Sequence, residues 1–252
     1  MFERILPQPQ TWQQHNGICN VACLKKGRVQ GLATEAAELL REDLPFCRFQ
    51  FKSGSSFEAV MSCSGTGPRL EREKGNKKAL KPQGYVLQID PDAVTIRAAD
   101  AAGLWYGLQT FVQLVRLGRG RIPAGEIEDW PSIARRGIHI DLKGCQPKFN
   151  RLLEICRLLA GYRINTIILE VEDKFAFASA PEVGVDNAYT PTQMRRLNVF
   201  CRALGIEVIP KLQCLAHVDY LLKHDHYRAL RENNHPYQYC PRNEKGLALW
   251  RN

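Results

Sequence analysis

Two hydrophobic rhythms divide the chain. Up to about residue 130 the apolar positions come in short runs broken by two helical stripes. Tyr85, Leu87 and Ile89 alternate with Val86 and Gln88, and a second run over 94–98 follows Asp90-Pro91-Asp92, which predicts a β-hairpin. Runs over 5–9, 18–24, 48–52 and 57–63 predict further short strands. Ala36, Ala37, Leu40 and Leu44 share one stripe of a helix over 33–44. Leu104, Leu108, Phe111, Val112 and Val115 do the same over 101–117, where Asp100 stands to cap the helix and Gly118 to end it. Residues 118–127 read as a Gly/Pro/Arg linker, and Trp130-Pro131 marks a boundary.

Beyond 131 the apolar runs become continuous. Ile138, Ile140 and Leu142 end a first run beside Asp141 and Lys143. A helix opening at Pro147 follows, with Phe149, Leu152, Leu153, Cys156, Leu159 and Ala160 inward and Gly161 at its end. A second run over 165–171 contains Glu170 and leads to Glu172 and Asp173. Thr190-Pro191-Thr192-Gln193 is a capping-box pattern opening a helix that stops at Gly205. A third run spans 206–212, and 218–224 or 244–250 supplies its helix. Continuous apolar strands joined by helical crossovers predict parallel strands buried on both faces. Carboxylates gather at their carboxyl ends, where α/β folds bind ligands.

The expected fold class is therefore α/β, with a small α+β domain over 1–130 followed by the first βα units of a (β/α)8 barrel over 131–252. The second part is about half of the ~250 residues that a closed barrel takes, so the barrel reads as truncated. Its open sheet edges invite pairing, which gives a route to homo-oligomers.

Composition changes this picture little. The chain has 252 residues, 44% hydrophobic and 24% charged, ordinary for a globular protein. No apolar run approaches the ~18 residues of a membrane span, and the first residues lack a secretory h-region, so no membrane partner is expected. Nine cysteines, an odd number without CxxC spacing, read as reduced thiols of a cytoplasmic protein. Part of the +9 net charge sits in the run 69–81, with six basic and two acidic residues. It has no aromatics and reads as a solvated loop, not a nucleic-acid patch.

The chemistry-bearing residues cluster at strand ends: Asp141, Glu170, Glu172 and Asp173. Glu170 interrupts an apolar strand, so it needs a partner, and Lys143 or Lys211 can serve. His217 sits at the mouth of the same sheet. Phe175, Phe177, Tyr189, Tyr237 and Tyr239 offer a wall for stacking sugars or serve as loop anchors. The set His217, Asp219, His224, Asp225 and His226 has no metal-site spacing, so no metal and no cofactor are expected. No GxSxG, GxGxxG or P-loop is present.

At these residues the chain resembles glycoside hydrolase family 20, the β-N-acetylhexosaminidases, and within it the hexosaminidase D branch. The resemblance is carried by Ile138-His139-Ile140-Asp141-Leu142-Lys143-Gly144, by 165 to 175 including Glu170-Val171-Glu172-Asp173, by Glu207-Val208-Ile209-Pro210-Lys211-Leu212-Gln213 with Ala216-His217, and by Cys240-Pro241 with Leu247-Ala248-Leu249. Gly103-Leu104-Trp105-Tyr106-Gly107 resembles the helix ending the family's small zincin-like domain. The resemblance implies hydrolysis of terminal N-acetylhexosamines with retention, using the substrate's 2-acetamido group as nucleophile. It places the Asp-Glu pair that orients this group and supplies the acid on the fourth strand, so it implies no catalytic residue in this chain. It implies substrate contacts at Asp141, Glu170, Asp173, Gln213 and His217, and an N-acetylhexosamine-containing glycan as partner. Gly144 stands where most of the family has a sugar-binding Arg, Glu170 where it has His, and Lys211 and Gln213 where it has acids. From another class, a non-catalytic carbohydrate-binding or interaction module is the alternative.

Overall fold

The computed structural model describes residues 1–63 and 79–250, so most of the basic run 69–81 lies outside the described residues. The chain forms two compact units. The first comprises Met1–Arg136, Arg157–Ile164 and Ala203–Gly205. The second comprises Gly137–Cys156, Asn165–Arg202 and Ile206–Asn252.

The first unit is built on a seven-stranded sheet. Its strands are β1 (Thr11–Asn20), β2 (Lys26–Gln30), β3 (Arg48–Lys52), β4 (Phe57–Ser62), β5 (Tyr85–Ile89), β6 (Ala93–Ala98) and β7 (Arg121–Asp129), in the order β1-β7-β5-β6-β4-β2-β3. All neighbours are antiparallel except β2 and β3. Helix α1 (Thr34–Asp43) packs on β3, and α2 (Ala101–Leu117) crosses β4 to β7. The close crossing of α2 needs Gly107, where a Cβ would come within 2.7 Å of Ile96 and 3.0 Å of Tyr85. Asp100 caps α2 as its position predicts, accepting from the Gly103 N–H at 2.8 Å, and Gly118 is the C-cap.

Three sequence expectations fail here. Of the strand expected over 18–24, only 18–20 belong to β1, and Val21–Cys23 is a 3-10 turn. Residues 5–9 are no strand; the nearest regular element is the 3-10 turn Phe2–Arg4. Residues 118–127 are not a linker, because β7 occupies most of that stretch and lies between β1 and β5. Pro and Gly disguised it. Pro123, which has no N–H to give, falls beyond the β5 pairing and beside the register irregularity of β1. Gly125 is required because the Gln13 carbonyl would lie 2.3 Å from a Cβ there.

A buried polar cluster anchors this unit. The Arg163 guanidinium pairs with Asp129 at 2.7 Å and donates to Thr110 Oγ1 at 2.7 Å and Tyr85 Oη at 3.1 Å. Burial pushes the Tyr85 phenol well above its ordinary pKa, against the opposing Arg163 charge.

The second unit carries three parallel strands, β8 (Gly137–Asp141), β9 (Thr166–Glu170) and β10 (Glu207–Lys211), in the order β10-β9-β8. Helix α3 (Phe149–Gly161) follows β8, and α4 (Pro191–Ala203) follows β9. The predicted capping box forms: Thr190 N–H donates to Gln193 Oε1 at 2.8 Å, and Gln193 N–H to Thr190 Oγ1 at 3.2 Å. Only β9 is buried along both faces; β8 is largely exposed and β10 largely half-buried, the pattern of edge strands. After β10 come the one-turn helix α5 (Asp219–Leu222), a hairpin of β11 (Arg231–Glu232) and β12 (His235–Tyr239), and α6 (Glu244–Trp250). Both expected helical stretches exist, and the hairpin between them was not foreseen.

Candidate functional site

The register of the parallel sheet brings the strand ends level. Asp141 is the partner of Glu170, and Glu170 is the partner of Lys211. These residues share one face of the sheet, because side chains alternate with period two. His139, two residues before Asp141, falls on that face as well.

Glu170 is the hub. Its side chain is only 1% exposed. Lys211 Nζ lies 2.5 Å from Oε2, His139 Nε2 2.8 Å from the same oxygen, and Lys143 Nζ 3.5 Å from Oε1. Burial pushes its pKa up, but hydrogen bonds from Lys211 and Gln213 and the charges of Lys211 and Lys143 outweigh it and hold the carboxyl at about 2. The demand for a partner, legible in the sequence, is answered by both lysines.

Glu172 and Asp173 follow in the 3-10 turn Glu172–Lys174. Glu172 is buried at a left-handed φ of +42°, with Lys143 Nζ at 2.9 Å. Burial raises its pKa, and the nearby Glu170 adds to the rise, against the pull of Lys143. Asp173 is held by Lys174 at 2.8 Å and Lys223 at 3.4 Å. Burial again works upward, but these two ammonium groups bring it below the ordinary carboxylate range. Asp141 is exposed and accepts from the Lys143 N–H at 2.8 Å.

His217 stands in the loop after β10 with φ +56°, and its Nε2 is 2.8 Å from Tyr237 Oη. Helix α5, two residues further on, packs on the 3-10 turn that carries Asp173. The loops bearing Asp173 and His217 are thus neighbours.

The aromatic residues do not assemble into one wall. Tyr189 is buried, its hydroxyl bonded to the Pro147 carbonyl, and Tyr239 is buried in the core beside Val218 and Leu222. Phe175 and Phe177 line the opposite face, in an apolar groove of about 470 Å³ with Leu169, Val208, Met194 and Leu197. Tyr237 alone of the five is exposed. Among the described residues no group of three or more His, Cys, Asp and Glu side chains is arranged to hold a metal ion. No described helix is long and apolar enough to cross a membrane.

Sequence reading missed His139 and the burial of Glu172. The first had a signal, since its period-two offset from Asp141 puts it diagonal to Glu170. The second had none, because it depends on a left-handed backbone turn. Chemically, the face offers carboxylate acceptors beside ammonium, amide and imidazole donors, which suits a ligand rich in hydroxyl and amide groups.

Comparison with known proteins agrees with this architecture. The family model described as glycosyl hydrolase family 20, domain 2, matches residues 3–130. Hexosaminidase D of Bos taurus is 34% identical over 116 residues, covering 45% of this chain and 34% of its own. A beta-N-acetylhexosaminidase of Cellulomonas fimi is 31% identical over 155 residues, covering 54% of this chain and 31% of its own. A mutant Streptomyces plicatus beta-hexosaminidase, solved with its product GlcNAc, superposes with a TM-score of 0.77 at 21% identity. That alignment covers 98% of this chain and 55% of the other, so this chain spans about half the length of that structure and about a third of the two sequence relatives.

Proposed function

Because the chain belongs to glycosyl hydrolase family 20, we propose that its second unit forms one wall of the sugar pocket of a β-N-acetylhexosaminidase-like glycosidase. The substrate is a glycan ending in N-acetylhexosamine. The observation that carries this is the level row Asp141, Glu170 and Lys211 at the carboxyl ends of parallel strands. The names of the relatives, and the GlcNAc bound to the Streptomyces plicatus protein, supply the ligand class.

The proposed roles are these. Asp141 and Asp173 accept hydrogen bonds from sugar hydroxyls. Gln213 and His217 offer polar contacts beside them. Glu170 organises charge: tied to two ammonium groups and held at about pKa 2, it stays ionised and holds the three strand ends together. A general acid needs a raised pKa and access to the leaving group. Glu170 and Asp173 have lowered pKa values, and Glu172, whose pKa is raised, is buried against Lys143. None of the three is then the general acid, which comes from outside these strands, and the family resemblance supplies the remaining step, attack by the substrate's 2-acetamido group in place of a carboxylate. On this reading the 252-residue chain binds sugar and does not hydrolyse it. The nine free thiols suit a cytoplasmic setting.

The test is an assay of the 252-residue protein on 4-nitrophenyl N-acetyl-β-glucosaminide and -galactosaminide. No release of nitrophenol above the uncatalysed rate is expected. Turnover abolished by a substitution among the described carboxylates would place the acid inside this chain and overturn the assignment.

A further inference from the structure

We propose that Tyr237 is the positioning residue of His217, delivered to the pocket mouth by the β11–β12 hairpin. The inference rests on the pocket reading above only for its consequence in sugar binding.

His217 has a left-handed backbone, φ +56°. A non-glycine residue there is strained and persists where its surroundings impose the conformation. Here β12 imposes it from both sides. The Val218 N–H donates to the Tyr237 carbonyl at 3.1 Å, the Tyr239 N–H donates to the Leu215 carbonyl at 3.4 Å, and Ala216 and Gln238 form an antiparallel bridge. The 215–218 loop is thereby stitched to β12.

The same residue that closes this clamp returns its side chain to the imidazole. Tyr237 Oη lies 2.8 Å from His217 Nε2, and the two rings meet edge-on at 4.6 Å between centroids. Tyr237 is itself set by His235, whose Nδ1 accepts the Tyr237 N–H at 3.2 Å. The residue remains 37% exposed. That exposure, next to a strained histidine at a strand mouth, fits a residue kept for orientation, since nothing in its burial demands an aromatic.

The proposed role takes the phenol O–H as the donor in this contact. A phenol O–H donating to Nε2 leaves the imidazole proton on Nδ1, because each ring nitrogen's role is set by the hydrogen bond at the other. Nδ1–H is then the donor available to an accepting oxygen, such as a sugar hydroxyl or an acetamido carbonyl. Without the phenol, the ring reverts to the mixture of tautomers usual for a free imidazole.

Long-range proton–nitrogen NMR of the 252-residue protein, at a pH where His217 is neutral, tests this directly. The wild type should show the Nδ1–H pattern for His217, and Tyr237→Phe should lose it while the resonances of the β8–β10 sheet stay in place. An Nε2–H pattern in the wild type, or an unchanged pattern in Tyr237→Phe, would overturn the proposal. A second arm titrates N-acetylglucosamine into wild type, Tyr237→Phe, His217→Ala and the double variant. Tyr237→Phe should weaken binding threefold or more, and the double variant should bind no more weakly than His217→Ala. Additive losses would mean that Tyr237 touches the sugar itself, and would overturn the positioning role. If the wild type does not bind, the pocket reading fails, and the tautomer arm still decides the role of Tyr237.

Discussion

Glu170 of β9 and Lys211 of β10 are paired in register, with Nζ 2.5 Å from Oε2 and the carboxylate only 1% exposed. A charge this deeply buried is stable only while its partners remain. Lys211→Met removes the shortest contact but leaves Lys143 and His139 in place. The loss should be about 1–3 kcal/mol, the cost of an underbonded buried charge. Chemical denaturation of the two proteins checks it. A change within a few tenths of a kcal/mol would mean that Lys143 and His139 together suffice.

The same carboxylate sets an acid limit. The folded pKa of Glu170, about 2, lies below the ordinary glutamate value near ~4.3. Its contribution is therefore complete above that ordinary value and is lost as pH falls toward 2. Asp173, also lowered, acts with the same sign. Glu172 is raised and acts oppositely, taking up its proton in the folded state at a higher pH than in the unfolded chain. Stability measured between pH 5 and 2 should fall, and Glu170→Gln should flatten that slope. Equal slopes in the two proteins would exclude Glu170 as the source.

In the first unit, Arg163 and Asp129 pair at 2.7 Å with both side chains under a tenth exposed. Removing one partner of a buried pair strands the other, at a cost of about 3–5 kcal/mol. Arg163→Met should show this loss. The double variant Arg163→Met, Asp129→Asn should recover part of it, since no naked charge remains. If the double variant loses as much as the sum of the two single changes, the residues act independently and the pair is not what stabilises them.

Periodic elements were legible and irregular ones were not. Helix α2 and strand β3 match their sequence patterns end to end, because their apolar residues repeat at the period of the element, and the caps of α2 are explicit. Strand β7 was hidden by Pro123 and Gly125, residues kept for a register irregularity and a close backbone approach. The β11–β12 hairpin was hidden because its residues are held by hydrogen bonds to the 215–218 loop and not by an apolar repeat. At the strand mouth, the need of Glu170 for a cation was legible from an acid in an apolar run. The left-handed turns at Glu172 and His217, which decide what each side chain meets, depend on tertiary contacts that no local pattern encodes.

The central claim is that the mouth of β8, β9 and β10 is a wall of an N-acetylhexosamine pocket. The most direct measurement is an NMR titration of the 252-residue protein with N-acetylglucosamine, with glucose as the control. The expected result is saturable shifts confined to the neighbourhoods of Asp141, Asp173, Gln213 and His217, weakened by Asp173→Ala and absent with glucose. No saturable shift in the folded protein, or shifts that centre on the seven-stranded sheet, would contradict it.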